Sequence, residues 1–600
     1  MSDLKLLRQY EPIIRFTQGE LFFPCGIDHY VKRCSLWQRD ADGNETMVAD
    51  VGHVSAETLA QFEDESASHS YYLRFVQEPL SILNYQQWRS TRPQFSAIGR
   101  LLRVNFFSRL IDALFDLSLV VRGTVPGGTA AAASVQYREM RSKGMPDLYY
   151  GRVVREGGYI ILHYLFFYVM NDWRSGFYGV NDHEADWEQV FVYLSDEGSK
   201  PPQPRWVAYA SHDFKGDDLR RHWLDPEVEK VGEHPVIYAG AGSHGSYFQK
   251  GEYLMQVAPA FLDPLVRVFQ ALGNFWRDVL QQGEATAIRA AQAAVRVPFV
   301  DYARGDGESI GPYQRRHWSV KILDESQSWL HDYRGLWGLD TEDFVGGERA
   351  PGGAKFNRDG TVRQSWSDPL GWAGLDKVSP PAERLLHLQH KLTYLEDELA
   401  EIGRKITAQR DVLRDLALEA DALARLDNKS VLYTETVAQL QIAQDALRDS
   451  HQQETNLQES QRALLHYRTQ LETGSEGNIR AHIHHAHPPE PSLEGYSRLL
   501  ELWATFSSAL LIIALIFLLI VPQLRNQIWL GIGIVIASFV VIESILQRRL
   551  LRLLLNLTIA LAAFSALILL YTYLRYVVTA ALVSFVLLIL RENFREWRRW

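Results

Sequence analysis

The last hundred residues constrain this chain more than any other part of it. Four apolar stretches follow one another there, roughly 503–521 (ending at Pro522), Ile528 to Leu546, Leu553 to Leu574 and Tyr576 to Leu590. Three approach the length of about 20 residues that crosses a hydrocarbon core. The fourth is short, so three crossings plus a re-entrant or interfacial segment stands beside four crossings joined by tight hairpins. Either way the chain reads as a multi-pass membrane protein whose partner is a lipid bilayer. Trp503, Trp529, Tyr571, Tyr573, Trp597 and Trp600 fall where interfacial aromatics belong. Glu543 is the one carboxylate deep in a span, which marks it for a transport or gating role unless it snorkels toward Arg548.

Arginine placement gives an orientation. Arg548, Arg549 and Arg552 follow the second stretch, and Arg591, Arg595, Arg598 and Arg599 follow the fourth, whereas the other two linkers hold only Arg525 and Arg575. The positive-inside bias puts the second linker and the tail in the cytoplasm, and with four crossings the large N-terminal region as well. Residues 1–16 contain Lys5 and Arg8 but no uninterrupted apolar core and no small-residue cleavage site, so no secretory signal is expected. Two cysteines, Cys25 and Cys34, do not make a disulfide scaffold in a chain of 600 residues, and reduced thiols are expected. The formal net charge of -10 argues against a nucleic-acid partner.

The remainder divides by pattern. Residues 1–376 carry short strand-like runs between Gly, Pro and Asp clusters and are dense in aromatics, which predicts a mainly-β, sandwich-like domain. Helical insertions are expected near 98–121 and 264–297. Over 377–473, Leu385, Leu388, Leu392, Leu395, Leu399, Ile402, Ile406, Leu413 and Leu416 follow coiled-coil spacing, with Gln409 the one polar interruption. A break at Asp427-Asn428-Lys429 precedes a second helical run, so an antiparallel hairpin is expected, with an intermolecular coiled coil as the rival and homo-oligomerisation through it or the spans left open. A linker, 474–498, contains His482, His484, His485 and His487. These suit transition-metal binding, pH sensing or a merely solvated linker. Residues 499–600 form the transmembrane domain, expected to hold about four helices.

The strongest local signal is Asp182-His183-Glu184-Ala185-Asp186-Trp187-Glu188, which runs into an alternating strand. On a strand Asp186 and Glu188 point to one face, and His183 lies in the turn just before. An imidazole with two carboxylates makes a divalent-cation site, and the oxygen majority favours Ca, Mg or Mn over Zn. A salt-bridged strand entrance with Trp187 as a core residue is the bland alternative. His212 and His244 fall in turns after strand-like runs and can line the same pocket. Gly242, Gly245 and Ser246 leave room there for close backbone approach.

The order and spacing of several motifs resemble the vacuolar protein sorting-associated protein 62 family. They are Tyr10-Glu11-Pro12, Glu20-Leu21-Phe22-Phe23-Pro24, His163-Tyr164-Leu165-Phe166-Phe167-Tyr168, Asp182-His183-Glu184 with Asp186-Trp187-Glu188, and Gly242-Ser243-His244-Gly245-Ser246-Tyr247-Phe248. That resemblance covers most of 10–375 and implies a link to vacuolar trafficking but no reaction. Over a shorter stretch the chain resembles the Gly-His-Arg-His-Asp-Trp-Glu heptapeptide of necrosis- and ethylene-inducing-like cytolysins. Those are β-sandwich proteins that hold a divalent cation at that motif and act on membranes by binding sphingolipid head groups. The resemblance implies His183, Asp186 and Glu188 as ligands, with Trp187 matching. Asp182 replaces the glycine and Ala185 the second histidine. Ser175 stands where a further aspartate is expected, so Asp172 or Asp182 would have to substitute.

The resulting expectation is a membrane-anchored, cation-dependent binding or scaffolding protein at a membrane surface, with ligand contacts from Trp187, His212, His244 and Gly245. Its ligand would be a lipid head group, a glycan or a protein. A metal-dependent hydrolase, with His212, His244 or Glu184 as acid or base, and a channel or transporter built on the C-terminal helices are the alternatives.

Overall fold

A computed structural model describes the chain apart from residues 1, 41, 63–70, 94, 96–126, 174–181, 197–200, 212–215, 258–296, 325, 340–349, 426–430, 474–477, 481, 483–486, 491–497, 522–526 and 599–600. The expected insertion near 98–121 and almost all of that near 264–297 therefore lie outside the described residues. So do His212, His484 and His485. The described chain forms two compact units, one up to Glu490 and the other from Arg498 onward.

The N-terminal unit is β-rich. Its strands are β1 (Ile13–Arg15), β2 (Ser35–Arg39), β3 (Glu45–Ala49), β4 (Tyr71–Arg74), β5 (Leu148–Glu156), β6 (Tyr159–Asn171), β7 (His183–Ser195) and β8 (Gln203–Tyr209). They continue with β9 (Arg220–His222), β10 (Lys230–Val231), β11 (His234–Ala239), β12 (Ser246–Tyr247), β13 (Gly251–Val257), β14 (Val297–Ala303), β15 (Ser309–Ile310) and β16 (Ser319–Ile322). The largest sheet has the order β16-β5-β6-β7-β8-β9, an antiparallel meander with β16 added in parallel at its edge. A second sheet, β10-β11-β1-β15 with β12 paired to β11, is closed by a parallel pairing of Ile13 with Val236 and Ile14 with Ile237.

Strand β6 explains the arrangement. All of its thirteen residues are buried, because both faces of the meander are covered and the strand is apolar on both. On one face Ile160, Leu162, Tyr164, Phe166 and Tyr168 share a core with Val190, Val192 and Leu194 of β7 and with Ile14, Ile237 and Ile310 of the second sheet. On the other, Leu165 and Phe167 join Trp187, Trp329 and Trp337. Burying aromatic side chains of this size contributes on the order of 2–3 kcal/mol each. Cys25 and Cys34 are both buried and unbonded.

Six helices of at least fifteen residues are described. They are α1 (Gly128–Ser142), α2 (Pro381–Ala424), α3 (Val431–Glu472), α4 (Arg498–Ile520), α5 (Ile528–Leu546) and α6 (Leu550–Trp597). Helices α2 and α3 pack on each other within one chain. Gln409 Nε2 reaches Ala446 O at 3.4 Å and Arg410 reaches His451, while Leu388 shares a cavity wall with Leu464, so residue numbers rise on one helix as they fall on the other. Leu388, Leu392, Ile402 and Ile406 are buried on the expected stripe, while Leu385 at its start is exposed. The stripe therefore becomes a seam only after the first turn.

In the C-terminal unit, Leu502–Ile520, Ile528–Leu546 and Tyr571–Arg595 are long and apolar enough to cross a membrane, with mean hydropathies of 2.5, 2.3 and 2.1. Helices α4 and α5 lie antiparallel, with Trp503 packed on Phe539 at 5.2 Å and Leu500 and Ala504 packed against Leu546. The expected hairpin between the third and fourth stretches is not there. Helix α6 runs unbroken for 48 residues through Arg575. No Gly, Pro or Asn stands between Leu557 and Leu590 to stop a helix. At about 72 Å it is more than twice a hydrocarbon core.

Candidate functional site

Strand β7 carries the site because its two faces do different work. Asp186 and Glu188, two residues apart, belong to the face that meets the second sheet, and Trp187 lies on the other. Trp187 packs against Phe167 at 5.0 Å and Trp337 at 5.5 Å and stacks on Trp329 at 6.2 Å, so it sits in the aromatic core.

Asp186 is held from two sides. Asn171 Nδ2 donates to its Oδ2 at 3.3 Å, and His244 Nδ1 lies 2.9 Å from the same oxygen. The imidazole stacks on Tyr168, 3.7 Å between centroids and 7° between planes. His244 adopts φ 57°, a left-handed conformation made possible by the tight turn around it. A Cβ on Gly240, at the start of that turn, would collide with Ser243 Oγ and the Asp301 carboxylate, so the turn closes only over glycine. Asp301 in turn accepts from Ser243 Oγ at 2.7 Å and Tyr247 OH at 2.8 Å.

Glu20 completes this side. Its carboxylate accepts from the backbone of Leu21, Phe22 and Gly242 at 2.8, 3.1 and 2.9 Å, and lies 3.7 Å from His244 Nε2. Burial alone would favour a neutral imidazole, but the hydrogen bond to Asp186 and the charges of Glu20 and Asp186 outweigh it and raise His244 to about 10. His244 therefore lies buried between two carboxylates that favour its charged form. No spacing in the sequence links Glu20 to His244, 224 positions away; only the folded loop does.

Glu188 is different. It is half-buried, and its carboxylate accepts no hydrogen bond and forms no ion pair with any described residue. Burial first, then the neighbouring Asp186, hold its carboxyl well above the usual range, and His244 and Arg363 offset this only in part.

His183 is buried at the start of β7, opposite Asn171, with Nδ1 3.4 Å from Glu184 O. Among the described residues no hydrogen bond or ion pair joins it to Asp186 or Glu188. Asp182 is buried just before it, and Gly245 is buried in the His244 turn, where its carbonyl accepts from Gly240 N at 2.9 Å. Glu184 turns the other way. Ala185 takes φ 58°, and the Glu184 carboxylate goes to the opposite side, accepting from Phe75 N, Val76 N and Leu339 N at 2.8, 2.6 and 3.1 Å. That makes it a structural clasp, remote from the Asp186 face. Among the described residues no three His, Cys, Asp or Glu side chains are grouped to hold a metal ion by themselves. In the C-terminal unit, Glu543 accepts from Trp503 Nε1 at 3.3 Å and Gln547 Nε2 at 3.0 Å, which ties α4 to α5.

No family model and no curated protein matches the chain. Among solved structures, the chain described as "NLPPya in complex with glucosamine" aligns with 38% of this chain and 66% of its own length, at 12% identity and a TM-score of 0.17, a similarity that carries no argument about fold or function.

Proposed function

We propose that this is a membrane-anchored binding protein whose N-terminal domain holds a divalent cation at Asp186 and Glu188 and uses it to recognise a polar ligand at a membrane surface. The observation that carries the reading is the Glu188 carboxylate. A half-buried acid beside a second carboxylate, with no hydrogen-bond donor among the described residues, is a natural partner for a cation. Two carboxylates are an all-oxygen donor pair, which suits Ca, Mg or Mn, ions that commonly keep several waters among their ligands. His244 fixes Asp186 rather than competing for the ion, and water would complete the shell. The ion, when bound, supplies positive charge to which a hydroxyl, phosphate or carboxylate of the ligand attaches; no reaction is required of it.

Orientation follows from two crossings. Arg548, Arg549 and Arg552 come after the second span, so they share a side with the N-terminal domain, while an unbroken α6 that crosses once carries the tail's Arg591 and Arg595 to the other side. The arginine cluster that directly follows the second span, weighed by the positive-inside bias, supports a cytoplasmic placement of that side. A role in membrane trafficking fits this placement. Glu543 accepts from Trp503 and Gln547 and so serves as a tie between α4 and α5, which supports a structural role for it over transport.

The test is an Mn2+ titration of the full-length protein in detergent, read by electron paramagnetic resonance. Saturable binding that Ca2+ displaces and that Glu188→Gln removes is expected. A wild-type protein that binds no Mn2+, Ca2+ or Mg2+ would sink the reading.

A further inference from the structure

A second concave site lies within the N-terminal unit, between the meander and the start of the helical hairpin. It is a cavity of about 320 Å3 lined from four directions: Trp206 of β8 and His222 of β9, the first turns of α2, the end of α3, and the chain that follows α3 at His482. Arg384, His387, Leu388 and Lys391 stand at i, i+3, i+4 and i+7 on α2, so one helix face brings all four to it. Lys377 joins them from just before the helix. No Asp or Glu is among its described lining residues.

Basic stripes on exposed helices are ordinarily solvated faces. Three observations set this one apart. The side chains of Lys377, Arg384 and Lys391 make no ion pair or hydrogen bond with any described residue, although acidic side chains are common along the same hairpin. All three line one hollow, where a single anion can meet them together. The wall opposite them is aromatic and apolar: Trp206 is nearly buried, with the rings of His482 and His222 edge-on to it at 4.6 and 4.9 Å, and Tyr467 and Leu388 close the helical side. His482 Nε2 is buried and has no hydrogen-bond partner among the described residues. Burial, together with Arg220, Arg221 and His222, pushes His482 down to about 4, so its ring is neutral at physiological pH.

We infer that this cavity binds a phosphate monoester carried on an apolar or aromatic group. Arg384, Lys391 and Lys377 neutralise the phosphate, and Trp206 with Tyr467 and the neutral His482 ring contacts the carrier. The site is separate from Asp186 and Glu188 and does not depend on a metal there. It also gives the histidine-bearing linker a task, since His482 is held in the cavity wall rather than left in solvent.

The experiment is calorimetric titration of the full-length protein in neutral detergent with inorganic phosphate, phenyl phosphate and a soluble short-chain phosphatidic acid. Phenyl phosphate or phosphatidic acid should bind more tightly than inorganic phosphate, and the double variant Arg384→Ala/Lys391→Ala should weaken binding about tenfold or more. Preference for phosphatidic acid assigns the cavity to a lipid head group, and preference for phenyl phosphate to a soluble phosphoester. Absence of binding by all three probes overturns the inference, as does unchanged affinity in the double variant. Inorganic phosphate binding as tightly as phenyl phosphate overturns the role given to the Trp206 wall. Neither substituted residue is buried, and an unchanged helical circular dichroism spectrum confirms that the variant is folded.

Discussion

Strand β7 carries two glutamates four residues apart, and their surroundings are opposite. Glu184 is buried and accepts three backbone N–H groups, from Phe75, Val76 and Leu339, and so clasps β4, the segment after it and the 336–339 turn onto the meander. Glu188 accepts none. The first is an acid whose burial has been matched by dedicated donors, the ordinary condition of a structural polar group. The second has no such donor among the described residues, which is why the proposed cation is placed there. The comparison separates architecture from function on a single strand, where residue type alone cannot.

Breaking the clasp should have the largest effect. Glu184→Ala orphans two buried donors and a half-buried one and is expected to destabilise the N-terminal unit by about 3 kcal/mol or more, seen as a lower unfolding midpoint by tryptophan fluorescence. Its cation response, in whatever fraction remains folded, should persist. Asp186→Asn comes next. It removes the charged partner of the buried His244 and should cost about 2 kcal/mol while also weakening Mn2+ binding. Trp187→Phe should cost about 1 kcal/mol, since Trp187 Nε1 has no partner to lose, and should leave Mn2+ binding unchanged. A loss of cation binding in that variant would return Trp187 to the site.

Glu188→Gln should have the smallest effect on stability, within about 0.5 kcal/mol, or even be stabilising, because it deletes a poorly solvated charge. The same contrast predicts a pH dependence. A carboxyl whose folded-state pKa is raised contributes stability that is present below its unfolded value and lost as pH rises through the folded value. The cation-free wild-type protein should therefore lose stability on going from mildly acidic to neutral pH, and Glu188→Gln should flatten that slope. An equal slope in both proteins would place the titrating group elsewhere.

Much of this was legible before any coordinates, and the physical reasons are local. Alternation on a strand suffices to put Asp186 and Glu188 on one face and Trp187 on the other. Heptad spacing suffices for Leu388 to Ile406, and apolar length for α4 and α5. What was not legible depends on the backbone or on distant segments. Nothing in Glu184-Ala185-Asp186 announces that Ala185 adopts a left-handed φ and sends Glu184 away from its neighbours. Glu20 meets His244 only because β1 pairs with β11 across more than two hundred residues. The hairpin expected at Arg575 rested on a charge interrupting an apolar run, but a lone arginine does not terminate a helix; only missing hydrogen bonds or a disallowed φ do. Likewise His482 could be noticed as one of four histidines, but not as the one built into a cavity wall.

The central claim is that Glu188 and Asp186 hold a divalent cation. The most direct measurement is elemental analysis of the full-length protein purified without chelators, with Glu188→Gln prepared in parallel. The account predicts about one equivalent of Ca, Mg or Mn in the wild-type protein and its loss in the variant. No metal in the wild type, or equal amounts in both, would contradict it.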